Sequence, residues 1–272
     1  RMIIARDSDV IDLGGKTLRF IETPMLHWPE TMFTYLVEDG ILFSCDFFGT
    51  HVSQGLWDDE VEDLMYHAQR YFGEIMMPFK ANALNALKKI SDLDIKIIAP
   101  SHGPIYRNPK RIVEEYYKWA RGETREKALV LYVSMWRYTE RIVKIFADEL
   151  KSNGVEVVLH DMAVADVGDV AKDLVDSRAI VVATPTVVTN AHPLIVMDAH
   201  LLKILKPPAK YVALITIYAW ATIADRQLED MLKDLKIELA GAIKINVTPS
   251  ESDLENLRKL AEELAKKIKR AT

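Results

Sequence analysis

Apolar residues recur along this chain in two different arrangements, which divide it into two parts. In the first part, short apolar runs bounded by turn residues predict strands over residues 17–23, 32–37, 41–45 and 95–99. Apolar residues three and four positions apart predict helices over 58–72, 81–90 and 111–119. A charged segment, 121–127, then interrupts the pattern. We therefore expect one domain over 1–122 and a second over 127–272.

The second part alternates strands and helices regularly. Fully apolar runs predict strands over residues 128–133, 155–159, 179–183, 212–217 and 242–247, with a helix after each. The last helix opens on a capping box, Thr248-Pro249-Ser250-Glu251. Such alternation favours a parallel sheet covered by helices on both faces. Five strands and five helices are typical of a flavodoxin-like, doubly wound α/β domain.

Composition excludes several classes of function. The 272 residues are 49% hydrophobic and carry a formal net charge of -5 without clustered Lys and Arg, so nucleic-acid binding is not expected. The single cysteine, Cys45, allows no intrachain disulfide and favours a reducing cytoplasm. No apolar run approaches the roughly 20 residues that span a bilayer, so no membrane association is expected.

Three residues of the first part are candidate metal ligands. His27, Asp46 and His102 each follow a strand-like run, and imidazole with carboxylate suits iron, zinc or manganese. Three ligands leave open positions for catalysis, while a second metal ion would need ligands from elsewhere. Each residue alone is more often structural, and the other histidines are interpreted as surface or core residues: His51, the least secure because it is close to Asp46, and His67, His160, His192 and His200.

Three segments of the second part are candidate flavin-binding loops. The first connects a strand to its helix, where hydroxyl and backbone N–H groups favour a phosphate. Its lack of glycine disfavours a dinucleotide and favours a monophosphate. Aromatic rings in these loops suit stacking on a flat heterocycle, although Trp136 and Trp220 packing only the rim is an alternative. The candidate residues are Ser134, Met135, Trp136, Arg137, Tyr138 and Thr139; Thr184, Pro185, Thr186, Val187, Thr189, Asn190 and Ala191; and Tyr218, Ala219, Trp220 and Ala221.

These segments together resemble the flavodiiron proteins, also called A-type flavoproteins. The resemblance rests on the flavin loops and on three further blocks: Pro-Met-Leu-His-Trp-Pro at 24–29, Leu-Phe-Ser-Cys-Asp at 42–46 and Ile-Ala-Pro-Ser-His-Gly-Pro-Ile at 98–105. It implies the C-terminal part of a metallo-β-lactamase-like αββα domain followed by a flavodoxin-like domain carrying FMN. It also implies that His27 and His102 bind iron and that Asp46 bridges two non-haem irons.

The resemblance further implies an oxidoreductase that reduces dioxygen to water or nitric oxide to nitrous oxide. Electrons would pass from a rubredoxin or similar donor through FMN to the irons, within a head-to-tail homo-oligomer. The family's His-x-Glu-x-Asp-His segment, which supplies the other four ligands, is absent from this sequence. The chain therefore resembles the carboxyl-terminal piece of a longer protein. Three origins are open: a truncated product, a split gene with a partner subunit or N-terminal fragment, and a natural truncation.

Two other functions compete with the reductase. An FMN-binding electron-transfer module with a non-catalytic metal half is suggested by the missing ligands. A hydrolase on the lactamase-like fold is the second, although its metal site would not need a flavodoxin domain.

Overall fold

The chain divides into two compact units, one ending at Glu123 and one beginning at Thr124. The computed structural model describes residues 4–270. Within the described residues, no helix combines the length and the apolar composition that crossing a bilayer requires.

The first unit is built on a five-stranded sheet in the order β1-β2-β3-β4-β5. Strands β1 to β4 are antiparallel, and β5 joins β4 in parallel. The strands are β1 Val10–Asp12, β2 Thr17–Glu22, β3 Met32–Leu36, β4 Ile41–Phe43 and β5 Ile97–Ala99. The helices are α1 Leu64–Tyr71, which continues as a π-helical turn Phe72–Met76 and a 3-10 turn Met77–Phe79, then α2 Lys80–Lys89 and α3 Pro109–Arg121.

An aromatic cluster joins α3 to the turn after β4. The ring of Tyr116 lies 4.7 to 5.3 Å, centroid to centroid, from the rings of Phe47, Phe48, Phe72 and Trp119. All five side chains are buried. Aromatic pairs at this separation add to the free energy gained from burial alone. The cluster therefore holds the turn that carries Asp46 in a defined position.

The predicted helix over 58–72 begins later than the apolar spacing indicates. Residues Asp58–Glu60 form a 3-10 turn, Asp63 has a left-handed backbone with φ 51°, and only then does α1 begin. Five of the six residues from 58 to 63 are acidic, and like charges on adjacent helical turns repel. The Asp58 carboxylate instead accepts hydrogen bonds from the backbone N–H groups of Arg107 and Asn108. Electrostatics therefore outweighs periodicity in this segment.

The second unit contains a five-stranded parallel sheet in the order β11-β10-β8-β6-β7, with the short strand β9 paired to β8. Numbered within the parallel sheet, this is the order 2-1-3-4-5 of flavodoxin-like folds. The strands are β6 Arg125–Tyr132, β7 Glu156–Asp161, β8 Ser177–Val187, β9 Asn190–Ala191, β10 Tyr211–Tyr218 and β11 Glu238–Asn246. The helices are α4 Tyr138–Ser152, α5 Val167–Leu174, α6 Pro193–Leu205, α7 Ala224–Leu232 and α8 Glu251–Arg270.

Helices cover both faces of this sheet. Ala179, Val181 and Ala183 of β8 share one apolar core with α4 and α8. The alternate residues Ile180 and Val182 are also fully buried, and successive strand side chains point to opposite faces. The α/β fold with a doubly wound sheet is therefore confirmed for this unit.

The strand predicted over 179–183 extends further than its apolar run. Strand β8 continues to Val187 and turns back at once into β9, with Thr186 opposite Ala191 and Val187 opposite Asn190. The prediction that 184–191 is entirely loop is therefore wrong. Thr184 pairs in parallel with Thr216 of β10, and Thr186 pairs antiparallel with Ala191 of β9. These backbone hydrogen bonds extend the strand, although the polar side chains give no strand signal in the sequence.

Candidate metal and flavin sites

The three candidate metal ligands lie on three separate turns of the first unit. His27 lies between β2 and β3, Asp46 follows β4, and His102 follows β5. The second and third turns are joined by backbone hydrogen bonds, from Ser101 N–H to the Cys45 carbonyl at 2.7 Å and from Thr50 N–H to the His102 carbonyl at 3.4 Å. Parallel pairing of β4 with β5 brings these two turns to the same edge of the sheet.

The three side chains converge on one carboxylate. The Nε2 atom of His27 is 3.4 Å from Oδ2 of Asp46, and Nε2 of His102 is 3.5 Å from Oδ1. Each imidazole thus faces a different oxygen of Asp46, an arrangement that is compatible with a carboxylate shared between two metal ions. Within residues 4–270, no group of three or more His, Cys, Asp or Glu is arranged to hold a single metal ion. The donors fit part of a shared two-metal site, with other ligands still required.

Two glycines make this approach possible. A Cβ atom on Gly49 would lie 2.8 Å from the Asp46 carbonyl oxygen and 2.9 Å from Cε1 of His102, well inside van der Waals contact. Gly103 has φ +87°, and a Cβ atom there would meet the backbone N of Thr50 at 2.9 Å. Glycine is the residue that permits both a left-handed backbone and such close approach. These positions are not identifiable as site residues from sequence periodicity.

Hydrogen bonds orient the ring of His102. Its Nδ1 lies 3.1 Å from the Thr50 carbonyl, which accepts a hydrogen bond when Nδ1 carries the proton. That tautomer leaves the Nε2 lone pair facing Asp46, as metal ligation needs. The Tyr71 hydroxyl lies 3.4 Å from the same Nε2. Burial, and then the charge of Asp46, raise the pKa of Tyr71, so its hydroxyl stays protonated and able to donate.

Two residues beside the site were not predicted as part of it. The ring of His51 is stacked 5.8 Å from that of His102, and its Nδ1 is 3.3 Å from Oε2 of Glu74. His51 also lines a cavity of about 290 Å³ together with His67, Arg70 and Tyr71. Closeness to Asp46 in sequence was the one signal for His51, whereas Glu74 is brought there only by the π-helical turn after α1.

The candidate flavin residues gather at one edge of the second unit. The loops that follow β6, β8 and β10 leave the carboxyl ends of three neighbouring parallel strands. The chain reverses its direction of strand addition between β6 and β8, and ligands of doubly wound sheets bind at that point. Trp136 is 79% exposed and Trp220 is 75% exposed. Both rings are thus accessible rather than packed into the core.

The beginning of α4 has the donors that a phosphate needs. The first-turn N–H groups of Tyr138 and Thr139 have no acceptor within the helix. The N–H of Glu140 donates to Oγ of Ser134 at 3.2 Å, so that hydroxyl caps the helix. Thr139, the second residue of this turn, is only 1% exposed. An acceptor-rich group such as a phosphate fits this set of donors.

The second loop is shorter and more constrained than expected. Val188 and Thr189 alone connect β8 to β9, with φ values of 46° and 69°. Such turns normally use Asn and Gly, because β-branched residues are strained in the left-handed region. The Thr189 carbonyl accepts a hydrogen bond from Ile223 N–H at 2.8 Å, and the hydroxyls of Thr186 and Thr222 pair at 2.9 Å. These bonds join the β8 turn to the loop after β10.

Thr184 lies beneath this edge rather than on it. The residue is fully buried, its hydroxyl donates to the Pro185 carbonyl at 2.8 Å, and it accepts from His192 N–H at 2.9 Å. Asn190 uses its side-chain amide on the Val188 carbonyl at 2.9 Å. Both residues shape the hairpin, and their polar groups are already engaged within it.

Comparison with known proteins places the chain in a family. Residues 2–103 match a family model described as ODP family beta lactamase. A nitric oxide reductase of Moorella thermoacetica is 37% identical over 274 residues, covering 97% of this chain and 68% of that protein. A coenzyme F420H(2) oxidase of Methanocaldococcus jannaschii is 30% identical over 280 residues, covering 98% of this chain and 67% of that protein.

The crystal structure of the flavodiiron protein from Giardia intestinalis matches with a TM-score of 0.91 and 30% identity, covering 98% of this chain and 68% of that one. The fold and the curated relatives agree, and the chain belongs to the flavodiiron protein family. The relatives are named as oxidoreductases, and the chain spans about two thirds of their length.

Proposed function

We propose that this chain forms part of a flavodiiron reductase that converts dioxygen to water, nitric oxide to nitrous oxide, or both. In this proposal residues 127–272 form the FMN domain, and residues 1–122 contribute three ligands to a non-haem di-iron centre. The observation that carries the proposal is the geometry at Asp46, where two imidazoles each face a different carboxylate oxygen.

The flavin half of the proposal rests on the edge formed by three loops. Tyr138 and Thr139 offer backbone N–H groups to the FMN phosphate, with the Thr139 hydroxyl as a further donor. Trp136 and Trp220 offer exposed rings for stacking on the isoalloxazine. Thr184 positions the hairpin from below instead of contacting the flavin.

When bound, the irons would polarise the diatomic substrate and FMN would store the electrons. The residues of this chain bind the cofactors and orient the side chains around them. Asp46 holds the two imidazoles at one point, and Thr50 fixes the ring of His102 through its carbonyl. Tyr71 keeps a protonated hydroxyl at the edge of the site, available as a hydrogen-bond donor.

The test is a joint measurement of cofactors and turnover in the purified protein. We expect about one FMN per protomer from the flavin spectrum and about two irons from elemental analysis when the full ligand set is supplied. Addition of nitric oxide or dioxygen should oxidise the reduced flavin with multiple turnovers when a reduced donor is present. Protein that binds both cofactors yet consumes neither gas would contradict the reductase assignment.

A second candidate is an FMN-dependent electron-transfer module. The observation that favours it is the lack, within residues 4–270, of any three-ligand group for one metal ion. Stoichiometric FMN with no iron after anaerobic loading, together with electron transfer to an external acceptor, would support the module. Iron retained after gel filtration would support the reductase.

The electron donor and the assembly state belong to the same proposal. A rubredoxin-type donor and a head-to-tail homo-oligomer are expected from the family resemblance. Reduction of bound FMN by reduced rubredoxin in stopped-flow mixing tests the donor. Sedimentation equilibrium tests the assembly, and a monomer at micromolar concentration would remove that part of the proposal.

A further inference from the structure

A cavity of about 700 Å³ lies in the first unit, apart from the candidate metal and flavin residues. Apolar side chains from three places line it: Leu87 and Ile90 at the end of α2, Leu93 and Ile95 in the segment that leads to β5, and Val113 of α3. Small-molecule sites are concave, mostly apolar and roughly 300 to 1,000 Å³ in volume. The cavity therefore has the size and the lining of a ligand site.

The walls of this cavity are aliphatic and are joined to one another. Tyr117 of α3, which also lines it, donates its hydroxyl hydrogen to the Leu87 carbonyl at 2.9 Å and so links the two helices. Leu87 is fully buried and Ile90 is 3% exposed, whereas Val113 is half-buried. Tyr117 is the one aromatic residue among the described residues of the lining. Branched aliphatic walls without stacked rings favour a flexible hydrocarbon chain over a flat aromatic ligand.

Cationic groups gather at one end of the cavity. Ile98 and Tyr106 form an antiparallel bridge, joined by two backbone hydrogen bonds of 3.0 and 2.8 Å. This pairing brings Lys96 opposite Asn108, and Lys110 follows within the first turn of α3. All three of these side chains line the cavity. The lining is therefore cationic at this end, while the aliphatic walls extend away from it.

The two lysines at this end are only loosely paired. Nζ of Lys96 is 3.9 Å from Oδ2 of Asp94, and Nζ of Lys110 is 3.9 Å from Oε1 of Glu114. Both separations exceed hydrogen-bond distance. The four side chains are 56 to 90% exposed, and exposed ion pairs contribute little free energy. Glu114 is the only carboxylate among the described lining residues, so both ammonium groups remain available to an anion.

We propose that this cavity binds a medium-chain aliphatic carboxylate, with its hydrocarbon chain between α2 and α3 and its carboxylate at Lys96 and Lys110. The inference goes beyond the reductase function and does not depend on it. Burial of the chain supplies affinity, because apolar surface is removed from water. The two ammonium groups supply orientation and discriminate against uncharged and cationic chains. Charge complementarity thus selects a fatty-acid-like anion among the ligands that the apolar walls admit.

The first test is the dependence of affinity on chain length, measured by isothermal titration calorimetry of the full chain. The ligands are hexanoate, octanoate and decanoate, with 1-octanol and octylammonium as uncharged and cationic controls. Each buried CH₂ group raises affinity up to about fourfold, which corresponds to about 0.8 kcal/mol. Octanoate should therefore bind about tenfold more tightly than hexanoate, at a single site. It should also bind more tightly than 1-octanol, and octylammonium should bind most weakly.

The second test removes the cationic end. Lys96→Gln and Lys110→Gln should each weaken octanoate binding about fivefold, the scale of one exposed charge interaction, and should change 1-octanol binding less than about twofold. Lys118→Gln is the matched control, because Lys118 is an exposed cation of α3 outside the cavity lining. It should leave both affinities unchanged.

The third test changes the apolar wall. Val113→Thr keeps the shape of the side chain but replaces a methyl group with a hydroxyl, which is unfavourable against a hydrocarbon chain. It should weaken octanoate and 1-octanol to the same extent, by about fivefold. Circular dichroism checks that each variant is folded.

The outcomes separate this inference from the proposed function. No gain in affinity from hexanoate to octanoate, equal binding of octanoate and 1-octanol, or equal losses in Lys96→Gln and Lys118→Gln would overturn it. Binding of many octanoate molecules per chain would mean nonspecific association with apolar surface and would overturn it as well. FMN and iron content should not change in any variant, so failure of this inference leaves the reductase proposal standing, and failure of the reductase proposal leaves this site standing.

Discussion

The two units build their candidate sites by different physical means. In the second unit the flavin residues follow β6, β8 and β10, whose carboxyl ends must lie at one edge because the strands are parallel neighbours. In the first unit His27 follows an antiparallel strand, while Asp46 and His102 follow a parallel pair. Topology is therefore sufficient to gather the flavin residues, whereas the metal residues also require turns held by specific packing.

The largest effect that this comparison predicts is a complete loss of bound metal from the first unit, with no effect on the second. Asp46→Ala removes the carboxylate that both imidazoles face, so bound metal should fall to near zero in elemental analysis while FMN content is unchanged. The exposed Asp92→Ala, in the same unit, is the control and should retain both cofactors. Loss of flavin together with metal, in a folded variant, would show that the two sites are not independent.

A second prediction concerns a buried carboxyl in the flavin unit. Asp198 is 1% exposed, both of its oxygens lack a hydrogen-bond partner within the described residues, and burial raises its pKa to about 7. The folded state therefore holds a proton that the unfolded state has released, and stability falls as pH rises from about 4 to about 7. Asp198→Asn removes this dependence and should stabilise the protein at pH 8 by roughly 4 kcal/mol.

The check is urea unfolding of both proteins at pH 4.5 and pH 8. The two free energies of unfolding should be close at the lower pH and diverge at the higher one. Asp173, which accepts a hydrogen bond from His160 at 2.9 Å, is the contrasting residue of the same unit. Asp173→Asn should destabilise the protein at pH 8, and a gain in stability there would contradict this electrostatic account.

The next largest effect is expected from a substitution in the turns that carry the metal residues of the first unit. Gly103→Ala combines a left-handed backbone with overlap against the backbone of Thr50, and should cost about 2 to 3 kcal/mol of stability. Metal affinity should fall as well, because His102 is the preceding residue. Gly154→Ala is the matched control at φ +76°, where the new methyl group meets only the flexible end of Lys269, so a cost of about 1 kcal/mol is expected. Equal costs in the two variants would show that the turn is not tightly packed.

The smallest expected effect tests the strained hairpin of the flavin unit. Val188→Gly relieves a β-branched residue at φ 46° and should raise the free energy of unfolding by about 1 kcal/mol. The same change at exposed Val164, which is not among the residues with positive φ, should lower it by about 0.5 to 1 kcal/mol. Urea unfolding measures both, and FMN titration of Val188→Gly shows whether the strain serves the ligand. A destabilised Val188→Gly would mean that the side chain contributes packing that outweighs its strain.

Much of the second unit was predictable because its elements obey short-range rules. Strand β10 spans Tyr211–Tyr218, where the apolar run predicts 212–217, and α7 follows it over Ala224–Leu232, as the predicted alternation requires. The hairpin from β8 to β9 was not predictable, because Val188-Thr189 lacks the Asn-Gly signature of such turns. In the first unit, the delayed start of α1 depends on hydrogen bonds from residues some fifty positions along the chain.

The sequence by itself determined the fold class, the family, and the residue types available for chemistry, because periodicity and block motifs are local properties of the chain. Only the tertiary structure decided which atoms meet: His27 and His102 face different oxygens of Asp46, and Gly49 lets His102 approach the turn that carries Asp46. Such contacts depend on packing and hydrogen bonds between segments distant in sequence, and local patterns carry no information about them.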